Sequence, residues 1–239
     1  MAGGAAPGPP EYFGNDEAVG RIRGEGMTYR LFYAEKSASM GIRVLLEEIG
    51  ASYALIDTRI DMDTPRPADL LAINPNGWVP VLSWDGGAMY EAAAITVFLC
   101  DRHPQAGLAP APDEPGRALF LQTLVYCSNT IQNAFQLTYY PDRFVDTPAE
   151  EGSAQRRGNR RLRETWGVLN DQIGDGDWVL GARFSAADIY VFMLTTWLRH
   201  AKGHPDLDEF ANVKRIADKV RERPSVRDVY APWIADPAY

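Results

Sequence analysis

Two serines, Ser37 and Ser39, stand in the segment "EKSASMGIR", between an apolar run and an amphipathic one. A serine just before a helix caps it by accepting from an orphan N–H. Glu91 and Ala92 open a second helix-like segment, where free N–H groups and the helix dipole favour an anion and a carboxylate such as Glu91 offsets the dipole. Between them lies "NPNGWVPVL", Asn74 to Leu82, in which Pro80 interrupts a strand-like run although it has no N–H to give to a ladder. Other reactive residues are set aside. His200 and His204 are four apart, but Gly203 and Pro205 break the helix that would align them and no third ligand is evident, so no metal is expected. Cys100 and Cys127 lie in apolar stretches and form no C-x-x-C, so they are expected to be buried and inert, in a reducing compartment taken as the cytoplasm. There is no P-loop and no G-x-G-x-x-G.

The elements that must hold these residues follow from periodicity. "TYRLFYA", Thr28 to Ala34, predicts a strand ending at Tyr33. In "MGIRVLLEEIGA", Ile42, Leu45, Leu46 and Ile49 recur at helical spacing and Gly50 is the stop. "SYALIDT" predicts a second strand, "ADLLAIN" a short helix, "VPVLSW" and "AMY" about "DGG" a hairpin, and "EAAAITVFLCDRH" a helix stopped by Pro104. The order is β-α-β-α-β-β-α. Prolines then crowd "GLAPAPDEP", a linker. Beyond it, "GRALFLQTLVYCSNTIQNAFQLTYY" predicts one long helix and "AEEGSAQRRGNRRLRETWGVLNDQI" another. "SAADIYVFMLTTWLRHA" is apolar nearly all round and belongs at the centre of a helical domain. "FANVKRIADKVRERP" is amphipathic and is stopped by Pro224. Ser185 and Asp188 have the spacing of a capping box, flanked by Phe184 and Ile189 as a hydrophobic staple; this is a folding element without chemistry. The expected organisation is a flexible Gly/Pro/Ala-rich extension over residues 1–26, with Met27 as an alternative start, an α/β domain over 27–104, a linker over 105–114 and an all-helical domain over 115–239.

Composition narrows the function. A net charge of −8 argues against a general nucleic-acid binder, so the basic run "QRRGNRRLRE" is read as a solvated face or a subunit contact. No apolar run approaches the roughly 18 residues of a membrane span, and the first residues lack the pattern of a secretory signal.

A small βαβαββα domain with a proline opening its third strand, followed by helices, resembles the cytosolic glutathione transferases. "SASMGIR", "NPNGWVPVL", "YEAAAITVFL" and "GARFSAADIYVFML", in this order, carry the resemblance from Thr28 to about Trp233. Because a serine rather than a tyrosine follows the first strand, the bacterial and serine-type, beta-like members are most similar.

The resemblance implies a thioredoxin-like fold with a cis bond before Pro80, which a proline permits at little cost. It implies that the Trp78-Val79-Pro80 backbone pairs with the cysteinyl part of glutathione, the co-substrate. Glu91 would meet the γ-glutamyl amine and the Ala92 N–H its carboxylate. Family members usually have a serine at this second position, and the missing hydroxyl removes about 1.5–3 kcal/mol of binding at most. Ser39 aligns with the catalytic serine that stabilises the thiolate, with Ser37 two residues earlier as the alternative. Beta-type members carry a cysteine where Ala38 stands, which argues against a mixed-disulfide route. The thiolate would attack a small hydrophobic electrophile, the chemistry of detoxification. The pocket for it would draw on Phe135, Tyr139 and Tyr140, with Tyr33 as a further candidate that also reads as strand core. Adjacent Tyr139 and Tyr140 cannot both face the core, so one should face the cleft or a partner. A homodimer is implied. Two alternatives stay open: a glutathione-dependent isomerase, reductase or ether-cleaving enzyme, and a non-catalytic binding or assembly module, suggested by Ala92 and by Gly41 where a helix-opening proline is usual.

Overall fold

The computed structural model describes residues 19–21, 28–61 and 63–234. Strands β1 (Val19–Arg21), β2 (Tyr29–Tyr33), β3 (Tyr53–Asp57), β4 (Val81–Trp84) and β5 (Gly87–Tyr90) form one sheet in the order β1-β3-β2-β4-β5. β2 is central, parallel to β3 and antiparallel to β4. Apart from Arg30 its residues are apolar or aromatic, because both faces are covered. Tyr29, Leu31 and Tyr33 face the main core with helices α1 (Ser39–Ile49) and α3 (Ala92–Arg102), while Phe32 joins Val81 and Leu70 of α2 (Ala68–Ile73) in a second, smaller cluster. From β2 onward the order is βαβαββα, as expected. Most of the expected extension over residues 1–26 lies outside the described residues; the three that are described form β1 rather than loop. Pro80 precedes β4 instead of lying inside it, so no ladder bond is lost.

The helical domain comprises α4 (Arg117–Tyr126), α5 (Gln132–Tyr139), α6 (Glu151–Ile173), α7 (Ala186–Thr195), α8 (Ala211–Arg221) and α9 (Pro224–Ile234). Every residue of α7 is buried, as its all-round apolarity requires. The Asp188 carboxylate accepts from the Ser185 N–H at 2.8 Å and the Ser185 hydroxyl at 2.9 Å. Its other oxygen accepts from the Val179 N–H at 2.8 Å, so the cap also pins the preceding loop. Burial pushes this carboxyl up to about 6 despite those donors. Phe184 meets Trp178 edge-on.

Two sequence readings change. The single helix expected over "GRALFLQTLVYCSNTIQNAFQLTYY" is α4 and α5 joined by a π turn, Cys127–Ile131. The helix expected to reach His200 ends at Thr195. The helix expected to stop before Pro224 does so, at Arg221, and Pro224 then opens a further helix, α9, where its missing N–H has no intrahelical role.

The domains are fastened together. A Cβ on Gly41 would lie 2.6 Å from the Met193 sulfur, so this glycine admits the close approach of α1 to α7. The Arg223 guanidinium grips the Glu48 carboxylate at 2.7 and 2.6 Å, and Ser225 donates to the same carboxylate. Burial alone would raise the Glu48 pKa, but these donors and the Arg223 charge hold it below the usual range. The linker is tied as well: Ala186 N–H donates to Leu108 C=O at 2.8 Å, and Arg183 to the Gly107 and Ala109 carbonyls.

Candidate functional site

A cleft of about 640 Å³ lies between the two domains. Its α/β wall begins at the cis Val79–Pro80 bond. Arg66 donates to the Gly77 carbonyl at 3.0 Å and to carbonyls of the 59–64 loop. Asn74 Nδ2 donates to the Trp78 carbonyl at 2.8 Å. These bonds hold Trp78 and Val79 at the cleft. The N–H and C=O of Val79 have no hydrogen-bond partner among the described residues, although β4 starts only two residues later. Unpaired backbone groups in a cleft are offered to a ligand or water.

Glu91 and Ala92 line the same wall where α3 starts. Glu91 has φ +75°, and Lys36 on the cleft's other edge has φ +57°; they are the non-glycine residues with positive φ among those described. Such conformations cost about 1–3 kcal/mol and cluster at functional sites. Ala92 is buried at the first helical position, where its N–H has no intrahelical acceptor.

The two serines separate. Ser37 lines the cleft, whereas Ser39 is fully buried and does not. The Ser39 hydroxyl accepts from the Ala34 N–H at 3.0 Å, lies 2.9 Å from the Ala34 carbonyl and 2.7 Å from Ser37 Oγ. Nor is Ser39 the helix cap. It is the first helical residue, and its own N–H donates to Ser37 Oγ at 3.2 Å. Ser37 can also donate to the Ala34 carbonyl at 2.7 Å. Either hydroxyl can satisfy that carbonyl, so its hydrogen bond does not require the Ser37 proton. Ala38, also at the cleft, carries no sulfur.

The opposite wall comes from the helical domain. Phe135, Tyr139 and Tyr140 all line it, so both adjacent tyrosines reach the cleft, because α5 ends at Tyr139 and Tyr140 leaves the helix. The Tyr139 hydroxyl donates to the Trp197 carbonyl at 2.6 Å. Tyr140 packs against Trp78 across the cleft, ring centres 5.8 Å apart. Tyr33 does not line the cleft. Strand alternation turns it with Tyr29 and Leu31 into the core, 5.5 Å from the Arg43 guanidinium. The π turn re-aims its helix so that Ser128 and Gln132 face the cleft, and the Tyr190 hydroxyl lies 3.1 Å from Gln132 Oε1. Sequence periodicity does not reveal a π turn, and Tyr190 reads as ordinary core of α7. Arg143, Arg199 and Lys202, which follow helix ends, were likewise missed.

His204 is buried and structural: its Nδ1 accepts from the Arg199 N–H at 3.0 Å and its Nε2 lies 3.0 Å from the Thr138 hydroxyl. His200 is exposed, and among the described residues no cluster of ligands could hold a metal. Cys100 and Cys127 are buried, and burial pushes both thiols up to about 12. No helix among the described residues is long and apolar enough to cross a membrane.

Residues 37–102 match the family model described as "Glutathione S-transferase, N-terminal domain", and residues 153–231 the one described as "Glutathione S-transferase, C-terminal domain"; together they span well over half of the chain. Glutathione S-transferase GstA of Escherichia coli O157:H7 is 28% identical, with 83% of this chain and 96% of the relative covered. Maleylacetoacetate isomerase of Pseudomonas aeruginosa is 27% identical, covering 83% of this chain and 93% of that protein. A sphingomonad glutathione S-transferase solved in complex with glutathione superposes with a TM-score of 0.73 at 25% identity, covering 87% of this chain and all of that one.

Proposed function

Because the chain belongs to the glutathione S-transferase family, we propose that its cleft binds glutathione and directs the thiolate at a second substrate held by the helical wall. The observation that carries this reading is the backbone of Val79, whose N–H and C=O are unpaired at the cleft beside the cis Pro80. An extended cysteinyl residue can complete both bonds as a short antiparallel pair. The Ala92 N–H and the α3 dipole suit the γ-glutamyl carboxylate, and the Glu91 carboxylate suits its amine.

Ser37, rather than Ser39, is the group we assign to the thiol. It borders the cleft, and its proton is replaceable in the Ala34 network. A hydroxyl donating to sulfur favours the thiolate over the thiol, whose ordinary pKa is near 8.5. Ser39 then acts as a positioning residue that keeps Ser37 and Ala34 in place. The thiolate attacks an electrophilic carbon bordered by Phe135, Tyr139 and Tyr140. The match to a maleylacetoacetate isomerase favours isomerisation as a second reading, in which the same thiolate adds and then leaves. The site is read as working in a homodimer in the reducing cytoplasm. Leu121, Val125 and Val168 leave apolar surface for a second copy, and light scattering at the 26.5 kDa monomer mass alone would exclude the dimer.

Calorimetric titration with glutathione, with ultraviolet detection of the thiolate, tests the assignment. Ser37→Ala should bind glutathione without thiolate absorbance. Ser39→Ala should keep a detectable thiolate in a less stable protein. Thiolate that persists in Ser37→Ala and vanishes in a folded Ser39→Ala would return the role to Ser39. Failure of the wild type to bind at millimolar glutathione would leave a non-catalytic module.

A further inference from the structure

The ionisable residues at the cleft oppose the character of the chain. Net charge is −8 overall, yet among the described residues the cleft is lined by Lys36, Arg143, Arg199 and Lys202 against a single carboxylate, Glu91. Three of these cations come from the helical domain, on the wall that carries Phe135, Tyr139 and Tyr140, and face the α/β wall where Val79, Glu91 and Ala92 lie. The Arg143 guanidinium carbon lies over two aromatic rings, 4.1 Å from the centre of Tyr140 and 4.5 Å from that of Trp78. Its hydrogen bond is a long one, 3.4 Å to the neutral Gln136 Oε1. Lys202 lies 5.0 Å from the centre of the Tyr139 ring. Neither Arg143 nor Lys202 forms an ion pair with a carboxylate among the described residues, while most other ion pairs of the chain are within 3.4 Å.

An aromatic face holds a cation in place without neutralising it. The guanidinium edge stays available for a planar, bidentate carboxylate. Arg199 adds fixed charge from a position set by its donation to the Thr196 and Leu198 carbonyls at 2.7 and 2.8 Å. A purely hydrophobic second substrate has no use for three cations along its wall, and desolvating them against it is costly.

We infer that the second substrate is an aromatic or conjugated electrophile bearing a carboxylate, its ring on Tyr139 and Tyr140 and its anion between Arg143 and Lys202. This rests on the transferase reading above and sharpens it. With an aryl chloride probe, the glutathione sulfur bonds to the chlorine-bearing carbon and chloride leaves with the bonding pair, so no oxidant or reductant is needed.

The test uses the full chain with 4-chloro-3-nitrobenzoate and its uncharged isostere 4-chloro-3-nitrobenzamide. The ratio of their kcat/KM values should favour the benzoate beyond their uncatalysed ratio, and the preference should fall as salt rises. Arg143→Gln with Lys202→Gln should lower that ratio by about three- to tenfold, and Arg143→Lys should recover part of it. A ratio unchanged in the double variant overturns the inference. So does a loss of glutathione affinity in the variant that equals the loss of benzoate turnover, since the cations would then serve glutathione. Calorimetric binding of benzoate against benzamide is measured in parallel without glutathione. If no conjugation occurs, equal affinities refute the charge assignment, while a benzoate preference abolished in the double variant upholds it and the transferase reading alone fails.

Discussion

Acidification should loosen the fold through one residue, His204. The residue is 3% exposed. Because Nδ1 accepts from the Arg199 N–H, the proton of the neutral ring is on Nε2 and points to Thr138. Burial, then the charge of Lys202, lowers the imidazole from 6.5 to about 4. Between these values the unfolded chain binds a proton that the folded chain refuses, so stability rises with pH. The contribution is intact above 6.5 and is lost as the pH falls toward about 4. At about pH 5 the loss is about 2 kcal/mol, from the two pKa values and 1.36 kcal/mol per unit. Urea unfolding of wild type and His204→Gln from about pH 7.5 to about pH 5 isolates this contribution, because other groups cancel in the difference. At about pH 7.5 the variant should be less stable by about 1–2 kcal/mol. The gap should close or invert at about pH 5. Curves that run parallel across the range would refute the protonation state deduced from the Arg199 contact.

Further outcomes are expected. Asp188→Ala should cost about 3 kcal/mol in chemical denaturation, because it removes the α7 cap and orphans the buried Val179 N–H; a loss below about 1 kcal/mol would mean that water replaces the carboxylate. Gly158→Ala should destabilise more than Gly41→Ala. Its new Cβ would lie 2.7 Å from Thr138 Cγ2, 2.8 Å from Leu137 Cβ and 3.2 Å from the Ala134 carbonyl, whereas at Gly41 the nearest atom is the sulfur of a pliable Met193. Denaturation midpoints in the reverse order would be inconsistent with that geometry. Glu91→Gly should weaken glutathione binding at least about tenfold without destabilising the protein, since glycine accepts the positive φ; unchanged affinity by calorimetry would remove Glu91 from the ligand. Cys100 and Cys127 should resist a thiol reagent until denaturant is added, and labelling of the native protein would contradict their burial.

Much of this architecture is visible before folding because local signals agree with the tertiary ones. Ile42, Leu45, Leu46 and Ile49 mark α1, Ser185 and Asp188 mark the start of α7, and "NPNGWVPVL" marks the cleft. Where competing interactions decide, the linear reading falls short. Ser37 and Ser39 are two residues apart and chemically identical; only the turn at Lys36, with its positive φ, decides which faces the cleft. Tyr33 is an aromatic at a strand end, and strand parity alone sends it inward. The π turn leaves no mark in periodicity because its residues, Cys127–Ile131, are as compatible with an α-helix. Arg143 and Lys202 look like ordinary surface cations until the rings beneath them are seen.

The fastening of α1 to the helical domain also bears on recombination. On the function proposed above, the thiol-bearing partner and the second substrate are held by separate stretches of sequence, so exchanging the helical half with a homologue would be a natural way to change selectivity while leaving thiol chemistry intact. Gly41 and Glu48 belong to the first half, and Met193, Arg223 and Ser225, which they meet, to the second. A crossover placed in the proline-rich segment would separate every one of these pairs. Viable hybrids must therefore inherit matched residues from both parents, and the seam between the halves rather than the chemistry sets which exchanges survive.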